Sequence, residues 1–239
     1  MYILAIETTG PQASAAIINE KGEVREEISE RTLSHLQNLV PMVDSVLKKS
    51  ALSMDDVDYI AVSQGPGSFT GIRIGVSTGR ALAQGANKPL LGIPTLKAFA
   101  FNLEDCADLI CPIFDARRDQ VYAGIYHWEG EELVQDMEDG AYDVPEFAKK
   151  AKELCEAAGK SLKLFGDGTK KYSHLFENAT IAPDDVLLQR ASSVAKLALA
   201  TLDDNKGCGY NDLKPVYLRQ AEAQRKLEER LAMEAEKND

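Results

Sequence analysis

Histidine, cysteine and tryptophan are scarce in this chain of 239 residues: three, four and one respectively. No two of Cys106, Cys111, Cys155 and Cys208 stand in CxxC spacing, so neither a zinc ribbon nor a dithiol redox motif is indicated. Instead the thiols read as free, buried or partly buried groups of a reducing compartment. His35, His127 and His174 form no HxxxH or HExxH pair, so no helical metal site is expected. No Ser–His–Asp set can be chosen without arbitrary picks, and no catalytic residue, metal or cofactor is assigned. Basic residues are outnumbered, 27 Lys and Arg against 38 Asp and Glu, for a net charge of −11. A phosphate backbone would be repelled by such a chain. No apolar run approaches the ~20 residues of a membrane span. Met1–Glu7 has no basic n-region and reads as a strand rather than a signal peptide. A cytoplasmic protein without membrane contact is expected.

What is present is an ordinary globular composition, 44% hydrophobic and 27% charged, arranged in alternating strand and helix patterns. Tyr2–Ile6, Ala13–Ile18 and Glu23–Ser29 read as strands. Ser34, with Gln37 three residues on, resembles a capping box opening a helix to Lys49. Pro41 predicts a kink there or a late start. Asp58–Ser63 is a strand, Gly65–Gly71 a loop, Ile72–Gln84 a helix, Pro89–Ile93 a strand and Pro94–Asn102 a helix. A looser second copy follows. Leu109–Asp115 and Gln120–Tyr126 form a hairpin, Trp128–Asp136 continues as strand, and Val144–Gly159 is helical. Lys163–Gly166 is a strand, Thr180–Ile181 and Pro183–Leu187 are less defined, Ala191–Leu202 is a helix and Asp212–Tyr217 is extended. Gln220–Lys237 reads as a charged helical tail. The repeat suggests a duplicated α/β fold of two lobes, 1–102 and 103–219, with a tail over 220–239.

Strand, glycine-rich loop and helix N-terminus is an anion-binding geometry. Yet Gly65–Gly71 lacks the Lys-Ser/Thr of a P-loop, and Thr70 replaces the last glycine of GxGxxG. A structural turn and a phosphate site both stay open. Gly71, Gly75 and Gly79 line one face of the next helix. Each interior glycine costs roughly 0.5–1 kcal/mol against alanine, which implies a close backbone approach, either to the chain's own elements or to another chain. The helix from Ser34 carries Leu36, Leu39, Val40, Met42, Val43, Val46 and Leu47, more than one core-facing stripe requires. Met42 and Val46 are the expected excess, facing a partner helix. Asp115 ends a strand before Arg117-Arg118 and faces a cleft or pairs with an arginine. The pairs Glu26-Glu27 and Glu131-Glu132 read as solvated charge.

Five segments together resemble the TsaB (YeaZ) family: Ile3–Thr9, His35–Pro41, Gly65–Gly75, Asp115–Arg118 with Val121-Tyr122, and Pro215–Arg219. The Gly65–Gly75 block is the most specific, and the likeness spans nearly the whole chain. The resemblance implies an actin-like, hexokinase-like (ASKHA) fold of duplicated βββαβα units with a reduced second lobe. It also implies a relation to TsaD, which transfers threonylcarbamoyl to an adenosine beside the anticodon of tRNAs reading codons that begin with A. TsaD-like enzymes hold metal through HxxxH, and here Thr95 and Phe99 occupy the two histidine positions. The implied role is a pseudoenzyme scaffold and activator of TsaD, helping to recruit the ATPase TsaE, with tRNA held mainly by partners. The implied contact with TsaD or a second copy is a helical bundle formed by Leu36, Leu39, Met42, Val43, Val46, Gly71, Ile72, Gly75, Gly79 and Leu82. Two alternatives are a small-molecule kinase, with nucleotide at Thr8, Thr9 and Asp115, and a metallopeptidase-like hydrolase.

Overall fold

A computed structural model describes residues 1–29, 35–104, 106–202 and 207–219. The expected tail, the Ser34 cap and the Leu36 side chain lie outside the described residues. β1 (Tyr2–Glu7) pairs antiparallel with β2 (Ser14–Asn19), and β2 with β3 (Val24–Ile28). Beyond helix α1 (His35–Lys49), β4 (Tyr59–Ser63) joins the other side of β1 in parallel. After α2 (Phe69–Ala86), β5 (Leu90–Ile93) joins β4, giving the order β3-β2-β1-β4-β5. The short helix α3 (Thr95–Ala100) closes this half.

The second half repeats the scheme. β6 (Leu109–Asp115), β7 (Gln120–Glu129) and β8 (Glu132–Asp143) are antiparallel, α4 (Val144–Ala158) follows, and β9 (Leu162–Phe165) and β10 (Ala179–Ile181) add in parallel. The second sheet therefore runs β8-β7-β6-β9-β10, the same path as the first. This is the duplicated two-lobed architecture that the resemblance implies. The counterpart of the 18-residue α2 is the four-residue α5 (Thr169–Tyr172), so the second lobe is reduced there. The β7–β8 turn falls at Gly130, with φ +61, inside the stretch Trp128–Asp136 that was expected to continue as strand.

The halves exchange their last helices. α3 packs on β6 and β7, and α6 (Ala191–Ala200) lies across β1 and β2. Phe99 of α3 meets Phe114 and Phe165 of the second sheet at 5.3 and 4.5 Å. Glu26, expected in solvent, instead accepts from the Ser192 N–H at 3.1 Å and faces Arg190 at 3.2 Å. A carboxylate at that helix start is stabilising. One core joins the sheets through α3 and α6, a second lies under α1 and α2, and a third under α4.

α2 begins three residues before the expected Ile72, because the Ser68 hydroxyl caps it, accepting from Gly71 N–H at 3.2 Å. Its glycine row faces inward. A methyl group on Gly71 would collide with the Thr8 carbonyl, one on Gly75 with the Thr8 hydroxyl, and one on Gly79 with the Val62 side chain. The helix thus rides on β1 and β4 at backbone range. α1 crosses Pro41 without interruption, with that residue on the solvent side, where water can serve the carbonyl it leaves unbonded. Among the described residues, no helix is long and apolar enough to cross a membrane.

Val62 is β-branched, buried and stiff. Gly79→Ala is therefore expected to cost about 1–3 kcal/mol through overpacking. Gly85 has open space around it, so Gly85→Ala is expected to gain about 0.5–1 kcal/mol from helix propensity. Denaturant titration of the two variants checks this. Equal tolerance at both positions would place α2 farther from the sheet.

Candidate functional site

The strand ends that carry Thr9 and Asp115 face one another across a cleft of about 700 Å³. On the first-lobe side, Glu7 is buried at the end of β1. The Thr9 N–H donates to its Oε1, and the Thr9 hydroxyl does so at 2.5 Å. The Thr8 hydroxyl donates to Gly71 O at 2.7 Å. Ser68 N–H donates to Thr9 O at 2.8 Å, and Gly67 is pressed so close that an added Cβ would sit 2.7 Å from Thr9 Cβ. The loop after β1 and the loop before α2 therefore bond to each other, and the Thr8 and Thr9 hydroxyls and the Thr9 and Ser68 N–H groups are already engaged. Of the three candidate nucleotide residues, Thr9 and Asp115 line the cleft and Thr8 is buried behind it.

On the second-lobe side, Arg117, Arg118 and Asp119 take left-handed φ values of 62, 55 and 55°. That region disfavours side-chain-bearing residues. The turn is held because Asp115 Oδ1 accepts from Arg117 N–H at 2.8 Å and Ala116 N–H donates to Gln120 O at 3.0 Å. Both arginine side chains are exposed at the cleft. Asp167, mostly buried, accepts from Asp115 N–H at 3.1 Å, and its burial raises its carboxyl above the ordinary value.

A C-terminal strap closes one side. Cys208 and Leu90 exchange backbone bonds of 2.8 and 3.0 Å, and Arg80 donates to Tyr210 O and Asn211 O at 2.6 Å each. Val216 N–H donates to Gln64 O at 2.7 Å, so the strap meets the first lobe, and Arg219 donates to Ala116 O in the second. Between them Tyr217 lies 4.6 Å from the Phe69 ring, which Arg73 covers at 4.0 Å. Sequence reasoning saw an extended segment here, with Pro215–Arg219 resembling the family, but not its contacts. The partners of its residues are over a hundred positions away and leave no local signal.

Thr95 and Phe99 are both part of the fold. Thr95 Oγ1 lies 2.6 Å from Ser63 Oγ and accepts from Gly65 N–H at 3.1 Å. Phe99 is sealed in the aromatic cluster between α3 and the second sheet.

Of the helix residues expected at a partner surface, Leu39, Met42, Val43, Val46 and Ile72 are buried in the core under α1 and α2, as are Gly71, Gly75 and Gly79. Leu82 is half-buried. Among the described residues, the excess apolar side chain on α1 is therefore not Met42 or Val46 but Val40, 54% exposed. On α2 the outward row is Ser77, Ala81 and Gly85, all exposed. Their four-residue spacing was readable, but the larger glycine signal masked it.

Burial pushes the Glu7 carboxyl up, outweighing the Ser63 and Thr9 donors that pull it down. The folded state then keeps its proton to higher pH than the unfolded chain. Its stabilising contribution is complete below the ordinary 4.5 and is lost as pH rises through the raised value. Glu7→Gln is expected to flatten this decline. Denaturation across a pH series tests it, and parallel profiles for the two proteins would contradict it.

The family described as TsaD, tRNA N6-adenosine threonylcarbamoyltransferase, matches residues 13–238. The chain is 30% identical to the tRNA threonylcarbamoyladenosine biosynthesis protein TsaB of Bacillus subtilis, over 95% of this chain and 97% of that protein. It is also 30% identical to the TsaB protein of Escherichia coli, over 95% and 98%. The solved structure of YeaZ from Pseudomonas aeruginosa superposes with a TM-score of 0.78 at 26% identity, covering 91% of this chain and 99% of that one.

Proposed function

The chain belongs to the TsaB family of tRNA threonylcarbamoyladenosine biosynthesis proteins, and from that premise we propose that it is a non-catalytic scaffold and activator of TsaD. One observation carries this reading. The two positions where TsaD-like enzymes have metal-binding histidines are Thr95, tied to Ser63 and Gly65, and Phe99, locked between Phe114 and Phe165. Neither side chain is presented to a ligand, and a phenyl ring offers no lone pair to a metal. The Thr8 and Thr9 hydroxyls, bonded to Gly71 O and Glu7 inside the first lobe, argue the same way.

The docking surface is the outer face of α1 and α2. Ser77, Ala81 and Gly85 let a neighbouring helix approach closely, and exposed Val40 supplies an apolar contact on α1. TsaD is the partner and, through the complex, TsaE. A second copy of this chain uses the same face in TsaD's absence. With a net charge of −11, most phosphate contacts to tRNA fall to the partners.

Reconstituted threonylcarbamoylation tests this. TsaD with this chain is expected to modify tRNA at least ~10-fold faster than either alone, on the scale of a coupling free energy of ~1–3 kcal/mol. Ala81→Arg, at an exposed position that leaves the core untouched, is expected to abolish both stimulation and co-elution with TsaD. Modification by this chain alone, or full stimulation by Ala81→Arg, would refute the reading.

A further inference from the structure

The interlobe cleft has no part in the scaffold role, yet it holds an unmet chemical demand. Gln189 is 5% exposed, lines the cleft beside Gly10, and its Oε1 has no hydrogen-bond partner among the described residues. A buried carbonyl left unpaired costs on the order of 1–3 kcal/mol, so it marks a place where a ligand's N–H donor would be welcome. The same cleft is lined by Phe69 and by Tyr217, which is 38% exposed, lies 4.6 Å from the Phe69 ring and accepts from Arg73 Nε at 3.2 Å through its hydroxyl. The left-handed turn presents Arg117 and Arg118 to it. A flat ring face, a buried amide and two guanidinium groups in one cleft match a planar heterocycle with N–H donors and an attached phosphate.

We propose that, within the tRNA-modifying complex assigned above, this cleft receives one unstacked nucleobase of a single-stranded RNA segment. Its ring stacks on Tyr217, its edge donates to Gln189, and its phosphodiester lies against Arg117 and Arg118. A free nucleotide shares that chemistry. The loops on the first-lobe side, however, are bonded to each other and turn the Thr8 and Thr9 hydroxyls away to Gly71 O and Glu7, whereas a phosphodiester needs only the arginine turn. A volume of about 700 Å³ accommodates a nucleotide. One base also suits an acidic chain, which adds a stacking contact to an RNA that a partner holds.

The test uses the full chain with TsaD and three probes: a labelled RNA hairpin with a single-stranded loop, the same sequence fully paired, and adenosine monophosphate. The hairpin is expected to bind more tightly than the duplex. Tyr217→Ala is expected to weaken hairpin binding roughly 10-fold, with Tyr217→Phe near wild type. Gln189→Leu, which replaces an unmet acceptor with an apolar group and so should fold, is expected to weaken it several-fold. Arg117→Ala with Arg118→Ala should reduce the slope of log affinity against log salt by about 0.7 per lost contact. Adenosine monophosphate competing as well as the hairpin would overturn the RNA assignment. Co-elution with TsaD, read on the same samples, separates this site from the scaffold role. A chain that fails to co-elute refutes the scaffold. One that co-elutes and binds the hairpin unchanged as Tyr217→Ala and Gln189→Leu overturns the base site.

Discussion

The approach of α2 to β1 and β4 at Gly71, Gly75 and Gly79 sets most of the rest. Without side chains at these positions, the helix backbone comes down on Thr8 and Val62. At that distance the Thr8 hydroxyl reaches Gly71 O, and Ser68 N–H reaches Thr9 O. The loops on either side are thereby joined, and a geometry that elsewhere binds anions becomes an internal joint. Several helix-propensity penalties of up to ~1 kcal/mol each are offset by this packing. Because the glycines are used inside the monomer, the face of the same helix left to solvent is the opposite one, the row Ser77, Ala81 and Gly85.

A second constraint is the exchange of α3 and α6 between the sheets. Each lies at the end of one half and covers the other half's sheet, so a single apolar core runs through both lobes. The strap repeats the tie at the cleft mouth, bonded to Gln64 on one side and Ala116 on the other. A body cross-linked in this way suits a role in which it positions a partner.

The periodic parts of the fold were legible in the sequence. Buried strands such as Tyr2–Glu7 and Leu109–Asp115, the helix from Val144 and the duplication all follow from local pattern. The direction of the glycine row was not legible, since spacing reveals that one face approaches something closely but not what it approaches. The partner of Glu26 was hidden for the same kind of reason. A carboxylate on an edge strand reads as solvated until a helix start 166 positions away is placed over it. Met42 and Val46 were read as surplus because counting apolar residues cannot separate a wide core face from two narrow ones. At the cleft, Thr9 and Asp115 were foreseen. Gln189 was not, because a lone glutamine before a helix carries no motif and gains meaning only when its amide is found buried beside Gly10.

The central claim is that α2 is bound inward by its glycines and recognises a partner through its outer row. Site-resolved thiol alkylation of an Ala81→Cys variant, with and without TsaD, addresses it most directly. The account predicts rapid labelling at position 81 in the free chain and strong protection in the complex, while native Cys155, on the far lobe, labels equally in both. A position 81 that stays as reactive in the complex as in the free chain would contradict it.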